Sequence, residues 1–367
     1  MSFESLRFTT STSEEMKRRA SEPGRGRDAR GPFDIPWQGW KDIAARLYVS
    51  FWEDRIMLIA AGATFYLLLA LFPTFAVFVS AYGIVADPVT LGDHIAFIGR
   101  FLPQDGVNLI NSQLEALVSA DPASLSVTFV TGFLFAWWSA NNGIKTLFEA
   151  MNVAYGEQEQ RSFVKLNLVA FTFTLGGIIL AMVMILAIGI IPAVMALFGA
   201  QSFTDELILI GRWPAVFAIV VFAIGLIYRY GASRRRAQWR WVLFGAVLTA
   251  AVWLVASIAF SWYLQNFANY TATYGTIGGV VGFMMWVWIS SIIFIIGAEI
   301  NAEMEHQTAI DTTDDGNRPL GKRGARVADT IGKSTVSGGA PEPVRAPEPV
   351  TSEKRGLFRR KKKRHMN

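Results

Sequence analysis

Between residues 56 and 86 the chain reads IMLIAAGATFYLLLALFPTFAVFVSAYGIVA, without one charged side chain. About 20 apolar residues of helix suffice to cross a bilayer, and inside it each backbone N–H and C=O must be paired within the segment. The run therefore commits the chain to a membrane helix. It is longer than one straight crossing needs, so it must tilt, extend past the bilayer or kink. Pro73 offers the kink, because proline removes a backbone donor and crowds the preceding turn.

Five further apolar stretches follow, at 125–147, 166–200, 213–230, 241–264 and 275–298, the second of these also over-long and bearing Pro192. The fold expected is an all-α integral membrane protein of six transmembrane helices. Overall the 367 residues are 52% hydrophobic and 17% charged, against about 25% charged in a soluble domain. Residues 1–36 mix charge, Ser, Gly and Pro without periodicity and are expected to be a disordered tail. No apolar leader follows a basic start, so the first span is expected to drive insertion. The membrane domain is expected over 37–305. It opens with an interfacial helix, marked by Trp37, Trp40 and Trp52 around Ile43, Leu47 and Phe51. Residues 87–124, with Val107, Ile110, Leu114 and Leu117 on one face, are expected to lie on the far membrane surface. From 306 to 367 the chain turns acidic, then repeats APEP, and ends in RRKKKR, the composition of a disordered basic tail.

Orientation follows from basic residues beside the spans. Lys41, Arg46 and Arg55 precede the first; Lys145, Arg161 and Lys165 separate the second and third; Arg229, Arg234, Arg235, Arg236 and Arg240 separate the fourth and fifth. Only Arg100 and Arg212 fall on the other side. Both termini are thus expected on the cytoplasmic face of a cytoplasmic membrane.

The net charge of +5 does not point to nucleic acid. Residues 351–367 alone carry eight Lys/Arg against one Glu, so the basicity belongs to the tail and not to a folded surface. With no cysteine there is neither a disulfide nor a thiolate site, and no P-loop, HExxH or nucleophile elbow occurs, so no cofactor or metal is expected.

Polar groups at membrane depth are costly, which makes each a functional candidate. The densest set is Asn141, Asn142, Lys145, Glu149, Asn152 and Tyr155 at the end of the second span, with Lys145 and Glu149 four apart. It is either a polar entrance near the cytoplasmic face, or a span leaving the bilayer with Lys145 snorkelling. Glu299, Asn301 and Glu303 at the end of the sixth span either bind a cation or proton, or pair with the Arg-rich loop. Gly275, Gly278, Gly279 and Gly282 form overlapping GxxxG patterns that let another helix approach closely. Arg234, Arg235, Arg236 and Arg240, beside Trp239 and Trp241, carry the topology signal and are expected to touch anionic lipid headgroups.

AAGATFYLLLALFP in the first span, SANNGIKTLFEAMNVAYGE after the second, RYG followed by WRW, then NYTATYGTIGG and GAEINAE around the sixth, together resemble the YihY/virulence factor BrkB family. The resemblance covers residues 37–305 and implies a six-helix inner-membrane fold. Members of that family often carry the label ribonuclease BN. A zinc nuclease needs His and Asp ligands close together, and three scattered histidines, His94, His306 and His365, do not supply them. The function expected is a transporter or lipid-handling protein with its pathway between the first, second and sixth spans. The alternative is a non-transporting scaffold acting through its tails, and third an enzyme acting on lipid. Neither substrate nor oligomeric state follows from the sequence.

Overall fold

The computed structural model describes residues 13–85, 122–185, 203–266, 278–314 and 318–334. Pro192, Gly275, residues 87–121 of the expected surface segment and both chain ends lie outside the described residues. The helices are α1 (Ser13–Ala20), α2 (Trp37–Glu53), α3 (Ile56–Val85), α4 (Pro122–Ala154), α5 (Phe163–Ile185), α6 (Phe203–Tyr230), α7 (Trp239–Asn266), α8 (Gly278–Gln307) and the short α9 (Arg326–Asp329). Among the described residues there is no strand; Ala237 and Thr313 form one isolated antiparallel bridge.

Among the described residues four helices, α5 to α8, are long and apolar enough to cross a membrane, and α2 with α3 makes a fifth if the pair is one broken span. Such lengths arise because uninterrupted apolar sequence has no cap or breaker to end a helix. Leu168, Ile178, Met182, Val255, Ile258 and Trp262 point outward, an arrangement fitted to lipid and not to water. The remaining long helix, α4, runs 33 residues and carries the polar set from Ser139 to Lys145. It packs along α3 in the most extensive helix contact of the chain.

Helix α3 continues through Pro73. A bend lies before it, at Asp54–Arg55, where α2 and α3 meet at 59° and Arg55 takes a left-handed φ of 49°. Helix α8 is central and touches α2, α3, α4, α7 and α9. A core of Ile56, Ala60, Met151, Tyr155, Val242, Ala246, Ile295 and Ala298 joins these helices.

The glycine contacts also differ from expectation. A Cβ at Gly279 would meet open space, and one at Gly282 would meet Leu264 Cδ2 at an ordinary 3.9 Å. The tight crossing is nearer the C-terminal end of α8. There a Cβ on Gly297 would collide with the Thr249 and Tyr228 hydroxyls, and one on Gly245 with the Asn301 amide. These polar groups are mutually bonded across the helices: the Tyr228 hydroxyl donates to Phe294 O at 2.7 Å and lies 3.0 Å from Thr249 Oγ1. Periodic small residues show where helices can approach. The polar groups seated opposite decide where they do.

The terminal segments are corrected as well. Residues 13–36, 308–314 and 318–334 are folded against the ends of α7 and α8. Arg27 donates to Gln307 O (3.0 Å) and Gly332 O (2.9 Å), Arg19 to Ile331 O (3.0 Å), and Thr308 Oγ1 to Ala29 O (2.7 Å). In isolation such composition cannot bury enough apolar surface to order itself. Here Arg27 satisfies the Gln307 carbonyl that the C-terminus of α8 leaves unpaired, and Arg19 and Arg27 also bind carbonyls of the segment after α9.

Gly297→Ala should lower thermal stability by about 1–3 kcal/mol through overpacking. Gly279→Ala, with free space, should leave it unchanged or slightly raised. Thermal unfolding of the two variants in detergent makes the comparison.

Candidate functional site

Two polar assemblies stand out, one at the helix ends where the terminal segments gather and one inside the α4–α5 interface. The first is a cap of ion pairs. Arg25 bonds both oxygens of Asp42 at 2.8 and 2.7 Å, Arg46 Nε reaches Glu303 at 2.5 Å, and Arg229 meets Asp314 at 2.6 Å. At its centre Arg234 holds Glu305 in a two-pronged pair (3.0 and 2.6 Å), with both side chains shut away from solvent. Thr312 Oγ1 donates to the same carboxylate at 2.8 Å, and the guanidinium lies 3.8 Å over the Tyr155 ring.

The electrostatics follow from that arrangement. Burial alone would make Arg234 easier to deprotonate, but the adjacent Glu305 charge outweighs it and holds the proton more tightly. Burial pushes the Tyr155 hydroxyl up, so it stays neutral. Burial also raises Glu157, against the N–H that Arg326 donates to it at 2.6 Å. Glu159 goes the other way, down to about 2, because Arg161 bonds both its oxygens.

Several expected site residues belong to this cap. Asn152 stitches two loops, its Oδ1 accepting the Ser233 N–H (2.7 Å) while its amide donates to Glu159 (3.1 Å). Glu303 serves Arg46 and lies 3.8 Å from His306. Glu299 and Asn301 are buried, the Asn301 amide facing Val242 O at 3.5 Å. Arg234, expected at lipid headgroups, is instead buried on Glu305, since a planar donor fork beside a dry carboxylate is worth more paired than solvated. Arg235 sends its backbone N–H to Gly324 O at 3.1 Å. Arg236, over the Tyr230 ring, and Arg240, bonded to Gln238, remain exposed.

The second assembly is smaller and lies within the membrane helices. Lys145 Nζ and Asn141 Nδ2 both donate to Asn167 Oδ1, at 3.2 and 3.1 Å. Lys145 is nine residues before the end of α4, about 13 Å along the axis. Aromatic contacts bracket the group: Trp137 with Phe171 at 4.8 Å, and Phe148 with Phe173 at 5.3 Å. The expected Lys145–Glu149 pair does not form; Glu149 is exposed. Asn142 lends only its carbonyl, to Thr146 Oγ1 at 3.0 Å. Sequence reasoning missed Asn167, whose signal was a lone amide in the first turns of an apolar helix. It also missed Glu305, which nothing local distinguishes from Glu303. Among the described residues no group of three His, Asp or Glu side chains is placed to hold a metal ion.

Glu305→Gln should strand a buried guanidinium and cost about 3–5 kcal/mol of stability, read as a lowered melting midpoint in detergent. Arg234→Lys should not restore the two-pronged geometry. A second expectation concerns pH. Because the Glu159 carboxyl is depressed from 4.5 to about 2, its contribution is full above 4.5 and is lost as pH falls towards 2. Melting curves of Glu159→Gln and wild type should therefore differ at neutral pH and converge on acidification.

No solved structure matches the chain. Among curated proteins, a ribonuclease-like protein YfkH of Bacillus subtilis is 31% identical over 66% of this chain and 88% of its own length. UPF0761 membrane proteins of Paraburkholderia xenovorans (26% identical, 68% of this chain) and Nitrosospira multiformis (23%, 75%) are also similar, and the chain spans only 56% and 64% of their lengths. The family described as Virulence factor BrkB matches residues 47–320, three quarters of the chain. With the helical membrane architecture above, this makes the chain a member of the virulence factor BrkB family.

Proposed function

We propose that the protein is a transporter or lipid-handling protein with six membrane crossings and both termini cytoplasmic, its pathway bordered by α4. The observation that carries this reading is the Asn141–Lys145–Asn167 group. Lys145 and Asn141 lie more than two turns from the end of α4, and with Asn167 in the second turn of α5 they form a polar group flanked by aromatic rings; such groups are costly at membrane depth unless used. The six-crossing count is supported by α4, whose length suffices to span, and by the basic residues gathered on the cap side. A nuclease role has no support in the constellation of side chains, and the ribonuclease-like name of one relative describes that protein.

The scaffold alternative needs a sharper experiment than removal of everything after 310. Asp311, Thr312 and Arg323 are integral to the cap, Arg323 alone donating to Ala309 O and Ala328 O at 2.6 Å. Deleting 335–367 spares these contacts.

In phosphatidylethanolamine–phosphatidylglycerol proteoliposomes, the wild-type chain should move fluorescent phospholipid between leaflets faster than protein-free vesicles, read by dithionite quenching. Asn141→Leu with Asn167→Leu should slow it at least tenfold, while removal of 335–367 leaves it intact. No movement above background by folded wild-type protein, together with loss of the cellular phenotype on deleting 335–367, would favour the scaffold. The chain has no cysteine, so Ser162→Cys and Thr271→Cys report sidedness cleanly. Labelling of both from the same side would overturn the topology.

A further inference from the structure

The cap and the membrane helices treat positive charge differently. In the cap Arg25, Arg27, Arg46, Arg161, Arg229 and Arg234 each face a carboxylate at 2.5–2.7 Å. Among the described residues, neither Lys145 on α4 nor Arg212 on α6 faces a carboxylate. Lys145 has three donors and one neutral acceptor, the Asn167 oxygen, which it shares with Asn141. Arg212, on α6, keeps Nε and Nη1 buried without an acceptor, its guanidinium 5.1 Å from the Trp213 ring. Beside Lys145, the Asn141 Oδ1 is likewise buried with no donor.

Lys145 is half-buried, and a half-buried ammonium with one shared neutral acceptor, beside a buried amide oxygen without a donor, leaves hydrogen-bonding capacity unmet. Where the cap sets six arginines against carboxylates, Lys145 and Arg212 mark places where the negative charge comes from outside. We propose that the Lys145 site binds an anionic group, a phosphate or carboxylate, carried by a ligand that also bears a hydroxyl. The ammonium takes the anion, and the Asn141 oxygen takes the hydroxyl proton. Arg212 offers a second cationic station on the expected far side. The inference rests on the transport reading in naming its substrate class as anionic. Two sources share this chemistry, the headgroup of an anionic phospholipid and a small soluble organic phosphate.

The test is a binding measurement on the purified full chain in detergent, with thermal midpoint and tryptophan fluorescence as readouts. The probes are phosphatidylglycerol, glycerol 1-phosphate and, as the zwitterionic control, phosphatidylcholine. A saturable rise with phosphatidylglycerol alone identifies a lipid headgroup; a rise with glycerol 1-phosphate identifies a soluble anion. Lys145→Met should weaken either by about tenfold or more, and Lys145→Arg should keep most of it. Without ligand, Lys145→Met should melt at or above the wild-type midpoint, whereas a merely structural lysine gives a lower one. Equal response to phosphatidylcholine, or unchanged anion binding by folded Lys145→Met, overturns the proposal. Anion binding without lipid movement in vesicles sinks the transport reading and leaves the site standing. Movement of neutral lipid without anion binding does the reverse.

Discussion

A guanidinium removed from water is tolerable only if its charge and its donor fork are both answered, and the end of this molecule where the terminal segments gather is organised around meeting that requirement at Arg234. Glu305 takes two of its donors, the Tyr155 ring covers its face, and Thr312 fills the carboxylate that remains. The pair joins the loop after α6 to the end of α8, and Tyr155 brings in the end of α4. Arg46 with Glu303 and Arg229 with Asp314 extend the same logic to α2 and to the segment after α8. Apolar packing between membrane helices has little directionality, because lipid tails solvate them as well as neighbours do. Polar pairing at their ends supplies the direction.

The membrane character was legible at once, since uncharged runs such as 56–86 admit few other folds. Where the helices touch was not. GxxxG spacing singled out Gly278 and Gly282, yet the closest approach is at Gly245 and Gly297, opposite Asn301, Thr249 and Tyr228. Spacing records where a Cβ is missing, not what sits across from it. The bend at Asp54–Arg55 was not legible either, because it forms where an apolar helix meets an amphipathic one and no proline marks it.

The ends of the chain were misread for a different reason. Composition describes a segment in isolation, and residues 13–36 would not order themselves alone. Their partners are Gln307, Ile331 and Gly332, some three hundred positions away. For the candidate site the outcome is mixed. Lys145 and Asn141 were found from their cost at membrane depth, whereas Asn167, which joins them, comes from the next helix. Glu303 and Glu305 look alike in GAEINAEME, and only the fold gives one to Arg46 and the other to Arg234.

The interlocking of the two ends has a consequence for biosynthesis. Residues 13–36 leave the ribosome before any span is inserted, but the carbonyls they bind are made last. Contacts of such long sequence separation form slowly, and segments synthesised early must wait exposed for their partners. The cap therefore closes only after the final crossing is in place, and its closure records that insertion is complete. A nascent chain stalled before Gly332 carries a basic, unclasped N-terminus, open to proteolysis, and this distinguishes an unfinished molecule from a finished one.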